Sequence, residues 1–232
     1  MNFAHRSYQQ ELLDKDDIPL EDIRRNMYEL DVINTWLGGH AITLSGLQQL
    51  LTKGHSQPVS ICEIGCGGGD NLFAIQQWCN KKGIPVSLTG IDINPFCIEV
   101  AQKRLLSPGT RLIVADYRSV QFDQKPAIIF SSLFCHHFTN EELADQLRWM
   151  KANAGNGFFI NDLHRHVLAY YSIKWITGAF SKSYLVKNDA PLSVARGFSK
   201  KEWQELLYKA GITNFSLRWK WAFRWLITVP SI

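Results

Sequence analysis

The sequence contains no hydrophobic stretch long enough to cross a membrane and no repeated unit. The longest apolar run, from Val167 to Phe180, is shorter than the roughly 18 residues that a spanning helix needs, and it includes Lys174. The first residues are polar and acidic, whereas a secretion signal needs an apolar run. We therefore expect no stable membrane insertion and a cytoplasmic location.

Cysteine is scarce, and neither sign of charge is in large excess. The five cysteines are odd in number and form no CxxC pair, so we predict reduced thiols and no metal site. The 25 basic and 21 acidic residues leave a net charge of +4, without a basic tail or stripe. This balance gives no indication of a nucleic-acid partner. With 232 residues, 46% of them apolar, the chain is long enough for one substantial core.

Strand and helix patterns alternate along the chain from residue 58 onward. Short apolar runs typical of buried strands cover residues 59–64, 86–93, 111–115, 127–131 and 158–161. Amphipathic patterns between these runs predict helices, so the sheet should be parallel with helices on both faces. Residues 214–229 indicate two more strands around a short break, which predicts an antiparallel hairpin at the edge. The expected fold is α/β, doubly wound and Rossmann-like, with a mostly parallel seven-stranded sheet.

The chain is predicted to form a single domain with four parts. Residues 1–55 should be a helical segment that acts as a lid, and residues 56–163 should form the half that binds a cofactor. Residues 164–198 are a helical insertion rich in aromatic residues, which could fill a core or line a pocket. Residues 199–232 should add a final helix and the hairpin.

A glycine-rich turn follows the first strand, in the segment Glu63-Ile-Gly65-Cys-Gly67-Gly68-Gly69-Asp70. Glycines allow a tight turn and a close approach of the backbone to a ligand. A dinucleotide site requires glycine at the sixth position of its fingerprint, where this sequence has Asp70. A carboxylate beside a pyrophosphate is unfavourable. A nicotinamide-dependent oxidoreductase is the alternative that a glycine-rich turn suggests, and Asp70 argues against it.

Acidic residues end the next two strands. Asp92 can accept hydrogen bonds from ribose hydroxyls. Asp116 can accept one from an adenine amino group, and Tyr117 can lie against the ring. Open α/β sheets bind ligands at the carboxyl ends of their strands, so these side chains should meet. Their charges would repel phosphates and favour a cationic nucleoside.

Residues 58–163 resemble the cofactor half of class I S-adenosylmethionine-dependent methyltransferases. The matching elements are the Glu63-x-Gly65-x-Gly67-x-Gly69 motif, Asp92 and Asp116, although Phe130 or Ser131 stands where many relatives carry an acid. The resemblance implies S-adenosyl-L-methionine as the cofactor. The cofactor-binding residues that it and the pattern predict are Glu63, Gly65, Cys66, Gly67, Asp92, Ile93, Asp116, Tyr117 and Ser132.

The flanking segments resemble a narrower group, the small methyltransferases associated with bacterial type III polyketide synthases. The segments are Asn34-Thr-Trp36-Leu-Gly38-Gly39, Asn161-Asp162-Leu-His164-Arg165 and Pro191-Leu-Ser193-Val-Ala-Arg196-Gly-Phe198. This resemblance implies O-methylation of a small lipophilic hydroxylated aromatic or polyketide-derived acceptor. A non-catalytic S-adenosylmethionine-binding partner of another enzyme is a further alternative.

Three histidines are candidates for the base that an oxygen nucleophile would need. His136 and His137 follow the fourth strand, beside the expected methyl group, although either could serve only to pack or orient the loop. His164 follows the fifth strand close to Asp162, which could orient an imidazole.

Overall fold

The computed structural model describes residues 3–15, 17–52 and 58–231. In these ranges the chain forms eight α-helices and one seven-stranded sheet. The helices are α1 (Leu20–Trp36), α2 (Gly39–Leu50), α3 (Asp70–Lys82), α4 (Pro95–Arg104), α5 (Asn140–Asn153), α6 (Val167–Phe180), α7 (Tyr184–Arg196) and α8 (Lys200–Lys209). The strands are β1 (Val59–Ile64), β2 (Val86–Asp92), β3 (Thr110–Val114), β4 (Ile128–Ser132), β5 (Gly157–Leu163), β6 (Ser216–Lys220) and β7 (Arg224–Pro230).

The sheet has the strand order β3-β2-β1-β4-β5-β7-β6. The first five strands along the chain pair in parallel, whereas β7 pairs antiparallel with both β5 and β6. The prediction of a doubly wound, mostly parallel sheet with an antiparallel terminal hairpin is therefore confirmed. The strand order reverses between β1 and β4, and ligands bind at such a switch point in open α/β sheets.

Local signals in the sequence explain where several helices begin. Thr139 and Ser199 form capping boxes with Glu142 and Glu202 at the starts of α5 and α8. Asn94 caps α4 through its side chain, which accepts hydrogen bonds from the amides of Phe96 and Cys97. These side chains satisfy amide groups that have no partner inside the helix.

Two apolar layers cover the two faces of the sheet. One contains side chains of α5 and α8, such as Leu147 and Trp203, against the sheet. The other contains side chains of α2 and α3, such as Leu47 and Leu72, and includes the stacked rings of Phe130 and Phe159. No helix in the described parts of the chain is long and apolar enough to span a membrane.

The aromatic residues of the insertion do not form a pocket wall. The side chains of Trp175 and Phe180 are each 82% exposed, and Phe198 lies in the core beside Trp203. The inward face of α6 instead carries small and aliphatic residues such as Ala169 and Ile173. The prediction of an aromatic lining from this segment is wrong because helical periodicity turns these rings to other faces. The division into four parts stays a prediction.

Candidate functional site

A cavity of about 1060 Å³ lies at the carboxyl ends of the central strands. Its floor is the glycine turn after β1 and the ends of β2 and β4. Its walls come from residues before and within α1, from α6 and α7, and from the start of β7. The cavity therefore gathers segments from the beginning, the middle and the end of the chain.

Two glycines of the turn after β1 have backbone angles that favour glycine. Gly65 and Gly67 have φ angles of 66° and 50°, in the left-handed region. A Cβ atom on Gly65 would lie 2.1 Å from the ring of Phe134. Gly67 and Gly65 both line the cavity, as does the buried Cys66 between them. Three of the predicted cofactor residues thus form one surface.

Asp92 joins the glycine turn to the end of β2. One carboxylate oxygen accepts from the amide of Gly67 at 2.8 Å, and the other accepts from the amide of Asn94 at 2.9 Å. A carboxylate offers about four acceptor sites, so about two remain for a ligand. Burial raises the pKa of Asp92 above its ordinary value. Hydrogen bonds donated by ribose hydroxyl groups would satisfy these free acceptor sites.

A smaller cavity of about 140 Å³ adjoins the site on the β3 side. Its lining includes Ile93, Asp116 and Tyr117, which the sequence had placed together, and the rings of Phe134 and Phe138. This largely apolar slot, lined also by the carboxylates of Asp92 and Asp116, suits a flat base. Asp116 is held by Arg118, whose Nε lies 3.0 Å from each carboxylate oxygen. That ion pair lowers the pKa of Asp116.

Two buried side chains, one acidic and one basic, line the large cavity without satisfying all their hydrogen bonds. Among the described residues, neither carboxylate oxygen of Glu63 has a partner, and Nη1 of Arg224 has none. Burial raises the pKa of Glu63 well above its ordinary range and lowers that of Arg224 to about 10. An ammonium group and a carboxylate, the two charges of an amino acid, would complement them. The residues present therefore fit both ends of S-adenosylmethionine.

Ser132 lines the cavity at the end of β4, and its Oγ accepts weakly from Asn161 at 3.4 Å. Ser131 and Phe130 precede it and are both fully buried. The ring of Phe130 stacks on Phe159 at 4.8 Å, so it points into the core and not at the ligand site. Near the end of β4, where the resemblance leads us to expect an acid, the chain therefore has a ring that packs in the core.

His136 lies in a short 3₁₀ turn after β4 and is 3% exposed. Its Nδ1 lies 2.8 Å from the Asp162 carboxylate, and its Nε2 lies 3.5 Å from that of Glu11. Burial alone would lower the pKa of His136, but Asp162 and Glu11 raise it to about 9. Asp162, expected beside His164, belongs instead to His136 because β4 and β5 are neighbours.

His137 also faces the N-terminal segment. Its Nε2 lies 3.8 Å from the Glu11 carboxylate and its Nδ1 lies 3.3 Å from that of Asp14. Burial opposes ionisation of Glu11, but the neighbouring imidazoles of His136 and His137 lower its pKa to about 2. Glu11, His136 and His137 all line the large cavity. We call these three residues the polar cluster.

Sequence reasoning missed the residues that hold this turn in place. The buried Arg196 donates to the carbonyl oxygens of His136 and His137 at 3.0 and 2.9 Å. The buried Arg6 donates to the carbonyl oxygens of His136 and Phe138. Neither arginine stands in a local motif that predicts this role. Only the resemblance of the segment around Arg196 drew attention to one of them.

His164 lies apart from the other two histidines. Its Nδ1 accepts a hydrogen bond from the indole of Trp219 at 3.2 Å, and its ring contacts Trp225 edge-on. It pairs with Phe198 through a backbone bridge and is not among the residues that line the large cavity. Burial and the nearby His166 lower the pKa of His164. The structure therefore brings together two of the three predicted catalytic histidines.

Comparison with known proteins gives one family match within the chain. Residues 61–168 match the profile of a family described as "Methyltransferase domain". A malonyl-[acyl-carrier protein] O-methyltransferase from Priestia megaterium is 30% identical over 146 residues, which are 59% of this chain and 50% of that protein. The chain thus matches about half the length of this curated relative.

Solved structures share the fold at low sequence identity. The plantazolicin methyltransferase in complex with S-adenosylhomocysteine superposes with a TM-score of 0.67 at 19% identity, covering 91% of this chain and 90% of that one. The magnesium protoporphyrin IX methyltransferase from Synechocystis PCC 6803 with bound S-adenosylmethionine gives 0.59 at 13% identity, covering 91% of both chains. Residues 61–168 are therefore similar to a methyltransferase domain, and the chain shares its fold with S-adenosylmethionine-dependent methyltransferases of known structure.

Proposed function

We propose that the protein methylates a hydroxyl oxygen of a small lipophilic acceptor, either a hydroxylated aromatic or a polyketide-derived compound. The observation that carries this proposal is the position of the polar cluster. Glu11, His136 and His137 lie in the wall of the same cavity that contains Asp92 and the glycine turn. The cofactor and an acceptor hydroxyl can therefore share one enclosed space.

The remaining cavity wall is largely apolar. The side chains of Leu30 and Ile33 from α1 and of Ile173 and Ile176 from α6 contribute to it. Pockets for small molecules are commonly apolar with a few polar groups that fix the orientation of the ligand. A lipophilic molecule with one hydroxyl placed against the polar cluster satisfies both features. The name of the Priestia megaterium relative, which specifies an O-methyltransferase, also supports an oxygen acceptor.

Methyl transfer is an in-line displacement at the methyl carbon of the cofactor. The acceptor oxygen supplies the electron pair of the new O–C bond, the C–S bond breaks toward sulfur, and S-adenosylhomocysteine remains. The hydroxyl proton must also leave. Positioning and exclusion of water contribute much of the rate in such a reaction. In our proposal, the polar cluster binds the hydroxyl and favours its ionisation, while Glu63, Asp92 and Arg224 hold the cofactor.

The acceptor proposal can be tested with radiolabelled S-adenosylmethionine and a panel of phenols and hydroxylated polyketide-like rings. We expect transfer to at least one of them, and a loss of about 10²- to 10⁴-fold in rate for His137→Ala. The exposed His5, which does not line the cavity, provides a control, His5→Gln. Transfer to protein lysines or to tRNA, with none to any hydroxyl compound, would show that the acceptor is wrong. Cofactor binding without transfer to any acceptor class would favour the non-catalytic alternative.

We also propose a cytoplasmic location. The support is that the five cysteines are all buried and unpaired in the structure. Free thiols are typical of proteins kept in a reducing compartment. A fusion to a fluorescent protein, followed by fractionation of the source cells, would test this location.

A further inference from the structure

We propose that the polar cluster is a binding site for a divalent transition-metal cation, with Zn²⁺ the favoured ion. The ligand atoms are Nε2 of His136, Nε2 of His137 and a carboxylate oxygen of Glu11. One possible ligand atom from each of the three residues lies within 4.8 Å of the other two. Two imidazoles and one carboxylate, with a position left open, are a ligand set that such ions accept. The sequence alone predicted no metal site.

The distances favour a cation over direct hydrogen bonds. The Nε2 atoms of His136 and His137 lie 3.5 and 3.8 Å from the carboxylate oxygens of Glu11. A charge-assisted hydrogen bond would bring such atoms to about 2.8 Å. Ligands of a tetrahedral Zn²⁺ ion, each about 2.1 Å from the metal, are separated by about 3.4 Å. Both observed separations are closer to this ligand spacing than to the length of a charge-assisted hydrogen bond.

Each ligand is held from behind by a second polar group. The Nδ1 atom of His136 lies 2.8 Å from Asp162, and Nδ1 of His137 lies 3.3 Å from Asp14. When a cation displaces the proton from Nε2, each carboxylate accepts a hydrogen bond from the proton that stays on Nδ1. The hydroxyl of Ser193 donates to Glu11 Oε1 at 2.8 Å. Metal-binding histidines typically have carboxylate partners of this kind.

The charges around the cluster are compatible with a cation. Glu11, Asp14 and Asp162 supply three carboxylates, while Arg6 and Arg196 are the basic groups nearby. The Nε atom of Arg196 comes no closer than 4.0 Å to Glu11. Arg196 directs its hydrogen bonds to backbone oxygens, and Arg6 directs its own to backbone oxygens and to Oδ1 of Asn140. With neutral imidazoles, the group therefore has one net negative charge that a metal would offset.

The role of this ion in catalysis rests on the proposed function. An acceptor hydroxyl at the open position would lose its proton more readily, because a cation stabilises the oxyanion. The proton leaves to solvent on the partly exposed side of His137, and the oxygen electron pair then attacks the methyl carbon. The carbon–sulfur bond breaks toward sulfur, as before. The ion undergoes no redox change.

Metal binding can be measured apart from methyl transfer. The full-length chain without an affinity tag is stripped with chelator, dialysed and titrated with Zn²⁺ against a competing indicator dye. We expect about one tightly bound Zn²⁺ per chain. Glu11→Gln and His137→Gln should each weaken binding at least about 10-fold, and Asp162→Asn should weaken it about 10- to 100-fold. Stabilisation by S-adenosylhomocysteine establishes that each variant is folded.

His40→Gln is the matched control, because His40 belongs to the other histidine–carboxylate group of the described residues. There it pairs with Asp70 at 2.8 Å. We expect His40→Gln to keep full Zn²⁺ affinity. No stoichiometric binding by the wild-type chain, equal affinity in His137→Gln, or loss in His40→Gln alone would each overturn the metal site. Full methyl transfer by the chelated enzyme would overturn only the catalytic role. Metal binding without any hydroxyl acceptor would overturn only the proposed function.

Discussion

Asp92 holds the glycine turn with the same carboxylate that we predict to accept hydrogen bonds from the cofactor. Its two oxygens accept from the amides of Gly67 and Asn94, and its remaining lone pairs face the cavities. We expect Asp92→Ala to weaken S-adenosylmethionine binding by roughly 1.5–3 kcal/mol, the range for hydrogen bonds to a charged group. Calorimetry measures this change. The exposed Asp123 supplies the control Asp123→Ala, and unchanged affinity in a folded Asp92→Ala would remove Asp92 from the site.

Glu63 leads to a prediction about pH. Burial raises the pKa of its carboxyl group in the free protein, so it holds a proton above its ordinary range. An adjacent ammonium group would favour the ionised form. Binding of S-adenosylhomocysteine should therefore release a proton, and affinity should rise with pH from the ordinary pKa of about 4.3 up to the raised value.

Calorimetry in two buffers of different ionisation enthalpy measures that proton directly. Glu63→Gln is nearly isosteric and should bind with no proton release from this position and with a flatter pH profile. The pH dependence of folding stability has the opposite sign to that of ligand affinity. Because the folded pKa is raised, the contribution of Glu63 to the free energy of unfolding is present at low pH and is lost as the pH rises. Equal proton release by both proteins would show that Glu63 does not meet the ammonium group.

At the scale of the element, α1 forms one wall of the cofactor cavity. Met27 on this helix lies so close to the glycine turn that a Cβ atom on Gly68 would be 3.2 Å from it. The helix ends before Gly38, which has a φ of 74° and joins it to α2. Residues 24–39 therefore have the position expected of a lid, and a glycine connection permits such movement.

Limited proteolysis tests whether α1 closes on the cofactor. Trp36 is 82% exposed at the end of α1, so chymotrypsin should cleave after it once the helix end opens. We expect saturating S-adenosylhomocysteine to slow this cleavage several-fold, because the ligand would contact the closed helix. Cleavage after Tyr208 on α8, away from the cavity, is the internal control. If both sites are cut equally fast with and without ligand, α1 is a fixed wall.

At the scale of the molecule, the sheet and the position of the glycine turn were predictable from the sequence because their signals are local. Strand periodicity, capping residues and the glycine turn are each read within a few residues, and a parallel sheet brings Asp92 and Asp116 to one edge. Of the polar cluster, the sequence predicted the two histidines but not Glu11. Glu11 reaches His136 from the other end of the fold, and no local pattern connects them. The pairing of Asp162 with His136 likewise depends on strand order.

Cofactor binding should stabilise the whole chain, because the site joins distant segments. Arg224 of β7 donates to Asn34 of α1 at 2.8 Å, and Asn34 donates to Asp70 of α3 at 3.0 Å. S-adenosylhomocysteine at about 100 times its Kd should add about 2.7 kcal/mol to the free energy of unfolding. For a chain of this size, the melting temperature should rise by about 5–10 °C in one cooperative transition.

Thermal unfolding followed by circular dichroism measures this shift. NADH at the same concentration should give none, since Asp70 occupies the position where a dinucleotide turn needs glycine. Arg224→Met should reduce the shift, because it removes the cation that we place beside the cofactor carboxylate. Lys220 pairs with Arg224 across the two strands and does not line the cavity. Lys220→Met therefore removes an equivalent charge outside the site and should keep the full shift. A separate, ligand-independent transition would contradict the view that these segments unfold as one unit around the cofactor.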